Sequence, residues 1–402
     1  MKDKTELLAP AGNFEKLKTA LYFGADAVYL GGKSFSLRSF SDNFDRDELK
    51  SAIDYAHALG RKVYVTVNIF ARNKDFGALA EYFASLQSMQ ADAALVTDAG
   101  VLAVAKKAAP ALPLHISTQA NTTNKYAAKF WQEQGAERVV LARELSISEI
   151  GEIKDFCPEL ELEAFVHGAM CISYSGRCLL SNYLAGRDSN RGECVQACRW
   201  KYYLRAEGKD GEISAEEDDR GTYIFNSKDL NMSAHLAELA AAGVDSFKIE
   251  GRMKSAYYVA TVVNTYRRLL DGTMTEEDAA RELDTAAHRD YTQAYAFGAN
   301  ANTVHYADSQ AAGTRIYAAN VLEGAPAGGA ALIEMRNRFR IGEELEILSP
   351  TGSFGGRFTV EEMRDEEGEI VLDAKRVQQK LRIFCPYELC AGDLLRKRPK
   401  GV

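Results

Sequence analysis

The sequence predicts an α/β protein: a TIM-like (β/α)8 barrel over residues 1–305, with a cysteine-rich insertion at 168–226, then a small all-β, barrel-like domain over 306–402. Three observations carry that expectation. Short β-branched or aromatic runs alternate with helix-like stretches through roughly the first 270 residues, the pattern of βα units building a parallel sheet. Eight such runs can be read, and eight favour a closed barrel over a doubly wound sheet. From about Tyr306 the alternation gives way to strand-like runs separated by Gly, Pro and Asp.

The eight strands are read at Glu6–Ala9, Ala27–Gly31, Lys62–Asn68, Ala93–Thr97, Leu114–Ser117, Arg138–Leu141, Leu160–Val166 and Ser246–Glu250. Between them, stretches such as Asp47–Leu59 and Phe76–Gln90 place apolar residues at spacings of three and four, as amphipathic helices do. Gly-Ala-Asp-Ala-Val at 24–28 recurs loosely at 90–94, 135–139 and 243–247. Each copy ends a helix and opens a strand, which reads as a helix C-cap followed by a polar residue on the barrel's stability face. The insertion follows the C-terminal end of a strand, the face on which barrels carry chemistry. In the tail, strands are expected at Ile316–Leu322, Ala331–Arg336, Glu344–Leu348, Gly356–Val360 and Glu369–Leu372.

With 402 residues and 46% hydrophobic content, the chain can bury one large core and support a second domain. Its 57 acidic and 49 basic residues give a formal charge of −8, which excludes an overall electrostatic footprint for nucleic acid and leaves local basic patches as the only route to one. The charged start, Met1 to Glu6, has no secretory apolar region behind it, and no apolar run approaches membrane-spanning length. A cytoplasmic protein without membrane contact is expected. Seven cysteines in such a chain point to metal or redox chemistry rather than to a disulfide framework.

Cys171, Cys178, Cys194 and Cys198 fall within 28 positions, with six, fifteen and three residues between successive members. Thiolates are soft ligands, and four of them suit tetrahedral zinc or an iron–sulfur cluster. Arg177, Arg187, Arg191, Arg199 and Lys201 surround them and favour the thiolate form. The spacing departs from the short paired knuckles of common zinc ribbons, and zinc remains the alternative metal. Cys157, Cys385 and Cys390 are isolated and read as packing or turn residues. No His-Glu-x-x-His, Gly-x-Ser-x-Gly or phosphate-loop motif occurs.

The segment Glu163–Ser181 (EAFVHGAMCISYSGRCLLS), with LAPAGN at 8–13, YLGG at 29–32, STQ at 117–119 and KIEGR at 248–252, resembles the collagenase-like peptidase family U32 across the barrel and much of the tail. GECVQACRW at 192–200 is most similar to the branch that hydroxylates the wobble uridine of tRNA without oxygen, drawing on prephenate; other branches act on ribosomal RNA or ubiquinone precursors. The resemblance implies a 4Fe-4S cluster on the four cysteines, prephenate as co-substrate and tRNA as partner, and leaves room for an accessory protein chain. His167, after a barrel strand and four residues from Cys171, is the expected base, with Glu250 and Asp229 as further catalytic candidates. Prephenate's two carboxylates suit the forks of Arg143, Arg177 and Arg252, with Lys228 or Lys248 as point charges and Gln119 and Asn121 as polar contacts. Glu163 and Glu250 lie within strand sequences and are open to the alternative of facing the barrel interior, paired or protonated. Arg187, Arg191, Arg199 and Lys201, and the terminal run Arg396–Lys400, are the candidate RNA contacts. Competing readings are a collagenase-like peptidase, another hydroxylase of the same family, and an RNA-binding module with structural zinc.

Overall fold

The structure, a computed structural model, describes residues 5–37, 43–200, 226–298 and 311–399. It divides into two compact units, one built from Met1–Leu17, Ala25–Lys254 and His288–Ala311, the other from Lys18–Gly24, Ser255–Ala287 and Ala312–Val402.

In the first unit the strands are β1 (Glu6–Pro10), β2 (Ala27–Gly31), β3 (Lys62–Val67), β4 (Ala93–Val96), β5 (Leu114–Ile116), β6 (Arg138–Val140), β7 (Glu161–Ala169), β8 (Asp229–Asn231), β9 (Ser246–Ile249) and β10 (Tyr291–Thr292). Strands β1 to β7 pair in parallel in sequence order, and β9 pairs in parallel with both β7 and β1. That closes a barrel of the eight strands read from the sequence. Two short strands were not legible. Beyond Val166, β7 continues to Ala169 because antiparallel β8 pairs with it, His167 opposite Asn231, and β10 then adds to β8. A partner some sixty residues away leaves no local periodicity to read.

The recurring Gly-Ala-Asp motif works as a cap and a clamp. Gly24, Gln90, Gly135 and Gly243 all take positive φ at the helix ends. The acid two residues on then anchors a neighbouring strand: Asp26 accepts from the amide of Leu7 at 3.0 Å, Asp92 from Val63 at 2.7 Å and Asp245 from Leu162 at 2.9 Å.

Apolar side chains of Leu8, Tyr29, Tyr64, Leu95 and Val140 fill the barrel interior, with Phe165 packed against them. Among them runs a buried ionic network. Arg138 reaches Glu6 at 2.6 Å and Glu163 at 3.0 Å, and Lys248 reaches the other oxygen of Glu163 at 2.5 Å. Glu163 therefore does face the interior, fully buried and paired. Burial works to raise the pKa of Glu6, but the Arg138 guanidinium and hydrogen bonds from Arg138, Tyr64 and Ser246 hold it below 4.5. A carboxylate depressed in the folded state contributes stability above its unfolded pKa and loses it as pH falls through the folded value. Stability to urea should therefore be steady down to about pH 5 and decline below about pH 4. Glu6→Gln should remove part of that decline; an unchanged acid limb in the variant would contradict the assignment.

The second unit contains β11 (Ile316–Glu323), β12 (Ala330–Met335), β13 (Phe339–Arg340), β14 (Glu344–Leu348), β15 (Arg357–Thr359), β16 (Met363–Arg364), β17 (Asp373–Ala374), β18 (Lys380–Phe384) and β19 (Leu394–Lys397). Seven form an antiparallel sheet in the order β15-β14-β19-β11-β12-β18-β16, and β13 pairs with β17. Glu369–Leu372 is not a strand: Ile370 and Leu372 are exposed, following a turn in which the Glu369 amide donates to Asp365. Only the head of the terminal basic run is corrected, and Lys400 lies outside the described residues. Arg396 lies on β19, is 1% exposed, and forks to Glu282 at 2.5 and 2.8 Å and to Glu346 at 2.5 Å, so it cannot touch RNA. Glu282 belongs to the helix Glu276–Leu283, one of two helices that pack with this sheet although the sequence reading placed them with the barrel.

Candidate functional site at the barrel mouth

A cavity of about 450 Å³ opens at the C-terminal ends of the barrel strands. Tyr29, Leu95, Val140 and Phe165 of the barrel interior line it from one side, and the segment from Met170 to Arg199 lines it from the other. Two glycines let that segment lie so close. A Cβ at Gly168, where φ is +108°, would stand 2.5 Å from the carbonyl oxygen of Glu250, and one at Gly176, where φ is +74°, would stand 2.2 Å from that of Gln119. Polar ties hold it further along. Arg191 forks to Asp75 at 2.8 and 3.1 Å and donates to the carbonyl of Phe70 at 2.6 Å, while the Ser175 amide donates to Glu144 at 3.1 Å. Arg191, expected at the RNA, is thus spent on anchoring the insertion.

All four cysteines line this cavity, and all are free thiols. Cys171 hydrogen-bonds Cys178, and that bond lowers the pKa of Cys178 and raises that of Cys171. A thiolate at neutral pH is the form that ligates metal. Burial raises Cys198, and the charges of Cys194 and Cys178 add to the rise. Ser181 and the Gln196 amide both point hydrogen-bond donors at the Cys194 sulfur, at 3.8 and 3.4 Å. As placed, no three cysteine, histidine or carboxylate groups among the described residues form a metal site, so a bound centre requires these side chains to draw inward. The donor set itself, four thiols around one cavity, fits a thiolate-ligated centre.

Gln119, Arg143, Arg199, Glu250 and Arg252 also line the cavity. The Arg143 guanidinium stacks 3.9 Å from the Phe165 ring centroid and lies 3.5 Å from Glu250. Arg252 is 3% exposed and is oriented by Ser36 at 2.9 Å, Thr66 at 3.1 Å and Asn43 at 2.5 Å. Asn121, Arg177, Arg187 and Lys228 are not among the lining residues, and Lys201 lies outside the described residues. Asp229 is buried and bound by Arg289. His167 is 1% exposed, absent from the cavity lining, and packs 5.4 Å from the Tyr291 ring. Burial pulls its pKa to about 3 despite Asp229, so it is a neutral imidazole and a weak base rather than one poised near neutrality. Sequence reasoning missed Lys254, a cavity-lining lysine whose pKa burial lowers. Its place two residues past the KIEGR motif was the available signal.

A closed parallel barrel whose mouth gathers four thiols and basic side chains around one cavity defines the class: a barrel protein with its candidate site at the C-terminal ends of the strands. The chain belongs to peptidase family U32, whose sequence profile covers residues 12–306, with the profile of the family's C-terminal domain covering 314–396. It is 37% identical to tRNA hydroxylation protein P1 of Bacillus subtilis over 98% of this chain and 95% of that protein. It is 36% identical to tRNA hydroxylation protein P of Escherichia coli over 91% of this chain and 90% of that one. A 23S rRNA 5-hydroxycytidine synthase of Escherichia coli is 36% identical over 69% of this chain but only 41% of its own length.

Proposed function

We propose that this protein is a tRNA hydroxylase that modifies the wobble uridine at the barrel mouth, with an iron–sulfur centre on Cys171, Cys178, Cys194 and Cys198 and prephenate as co-substrate. The observation that carries the reading is that all four thiols share one cavity with Arg143, Arg252 and Lys254, in a chain matching the tRNA hydroxylation proteins over nearly their whole length. The cluster, when bound, supplies one-electron chemistry. The chain's own residues supply the rest. Arg143 and Arg252 present planar cations to a carboxylate, and Arg252 is pre-oriented by its three neutral partners. The aromatic faces of Tyr29 and Phe165 bound the space for the ring of a small organic acid. Glu250, beside Arg143, and Lys254, with its lowered pKa, are the groups placed to hold or pass a proton. No helix among the described residues is long and apolar enough to cross a membrane, and we place the protein in the cytoplasm, where tRNA is modified.

Peptidase chemistry has less support. Among the described residues no histidine lines the cavity, so a hydrolytic nucleophile among its serines and cysteines would depend on Glu250 or Lys254 for its base. Nucleoside mass spectrometry of a deletion strain tests the proposal: hydroxylated wobble uridine should disappear and return with the intact gene. Unchanged hydroxyuridine in a strain without a second copy, or loss of hydroxycytidine from ribosomal RNA instead, would overturn it.

A further inference from the structure

The second unit carries a basic surface for which the mouth chemistry has no use. Strands β13 and β17 pair with Arg340 opposite Asp373, and Arg338 and Arg340 both bond that one carboxylate, at 2.5 and 3.2 Å. The chain leaves β17 through Lys375 and Arg376, whose amides are tied to the side chain of Gln379 at 3.3 and 3.2 Å, and re-enters the sheet at Lys380. Lys375, Arg376 and Lys380 are exposed and have no ion-pair partner among the described residues. Beside them, Lys397 spans from Glu343, at 2.7 Å, to the carbonyl of Arg338, at 2.5 Å. Its neighbour Arg398 is exposed and likewise without an ion pair among the described residues. The terminal basic run thus splits: Arg396 is structural, and Arg398 belongs to this patch.

We infer that Arg338, Arg340, Lys375, Arg376, Lys380 and Arg398 form a phosphate-binding surface on the β domain that grips the RNA backbone, separately from the site that modifies the base. The inference rests on the tRNA reading proposed above. In a chain of net charge −8 these six cations stand out: Asp373 is the one carboxylate they bond, while Glu334, opposite Lys380 in the sheet, is paired with Arg336, and Glu343 with Lys397. Its geometry suits phosphates. The amides of Lys375 and Arg376 hold the backbone of the turn in place, so the two long side chains start from a fixed base. Asp373 similarly orients Arg338 and Arg340 while neutralising only one of their two charges. The acidic turn at Asp365–Glu369 extends from β16, which pairs with the other edge of β18, and would repel a polyanion there, giving the surface a direction. An acidic protein surface is the competing occupant. RNA is favoured because a macromolecular substrate recognised by one reacting base needs contacts away from that base, and backbone contacts provide them without demanding sequence.

The test uses the full-length protein and a tRNA transcript. Lys375→Ala, Arg376→Ala and Arg398→Ala combined should weaken binding about 10- to 100-fold at low salt, and should reduce the slope of log K against log salt by about 2 to 3, since each phosphate contact contributes about 0.7 to 0.9. In turnover the KM for tRNA should rise by a similar factor with kcat unchanged. Wild-type affinity and slope in the triple variant would overturn the inference. That result is distinct from failure of the tRNA reading, which nucleoside analysis of the deletion strain reports by itself. All three side chains are exposed, and Lys375→Glu with Arg376→Glu gives an independent variant in which the loss should be larger.

Discussion

Replacing any one of Cys171, Cys178, Cys194 and Cys198 by serine is expected to abolish hydroxylation of tRNA in anaerobically prepared protein, with a loss of at least about 100-fold, the upper end of what removing even a group that merely orients a metal ligand costs. Serine keeps the size of cysteine but is neither soft nor ionised near neutrality. Because Cys171 is exposed and the other three are half-buried, no core packing is lost and the fold should survive. The visible absorption of an iron–sulfur centre and its iron content should fall together with activity, while the thermal midpoint of the metal-free chain moves little. Cys390→Ser serves as the control, since that thiol is half-buried in the second unit and is not among the residues that line the cavity. A serine variant at any of the four positions that kept both spectrum and activity would remove that residue from the ligand set. If all four variants did so, the centre itself would have to be abandoned.

The second large effect is on stability. Glu163→Ala should destabilise the barrel by about 3 to 5 kcal/mol, because it leaves Lys248 without its carboxylate and takes one of the carboxylates from Arg138, both buried. For a unit of this size that corresponds to a fall in Tm of about 6 to 20 °C. The cause is uncompensated charge and not lost contact area, so the pair should be separable: Glu163→Met with Lys248→Met should recover much of the loss, as an apolar pair in place of a buried ion pair often does. Lys248 lies under the cavity, 4.4 Å from the Tyr29 ring and 5.5 Å from that of Phe165, so the double variant should be folded yet impaired in binding the co-substrate. Urea unfolding measures the first effect. A change below about 1 kcal/mol for Glu163→Ala would mean that water reaches the network and screens it.

What the sequence determined by itself is whatever depends on periodicity and on neighbours along the chain. The eight barrel strands were legible because parallel strands buried on both faces read as short apolar runs between amphipathic helices. The Gly-Ala-Asp copies were legible as caps because a helix end and the next strand's first residues are adjacent in sequence. The cysteine set was legible because its four members fall in one insertion.

Only the tertiary structure decided which charges are free to act. Arg191 and Arg199 sit in the same insertion and have the same chemistry, yet Arg191 is closed on Asp75, 116 residues away, while Arg199 lines the cavity. His167 has the right position for a base, but its burial behind β8 and β10, partners absent from the local pattern, leaves it neutral. Arg396 heads the most basic run in the tail and is nearly fully buried between Glu282 and Glu346, whereas Arg398, two positions on along the same backbone, is exposed. A charge's role is set by its distance to an opposite charge and to water, and both are properties of the folded chain: residue order specifies the strands, and the packing of those strands assigns each cation to a carboxylate or to a ligand.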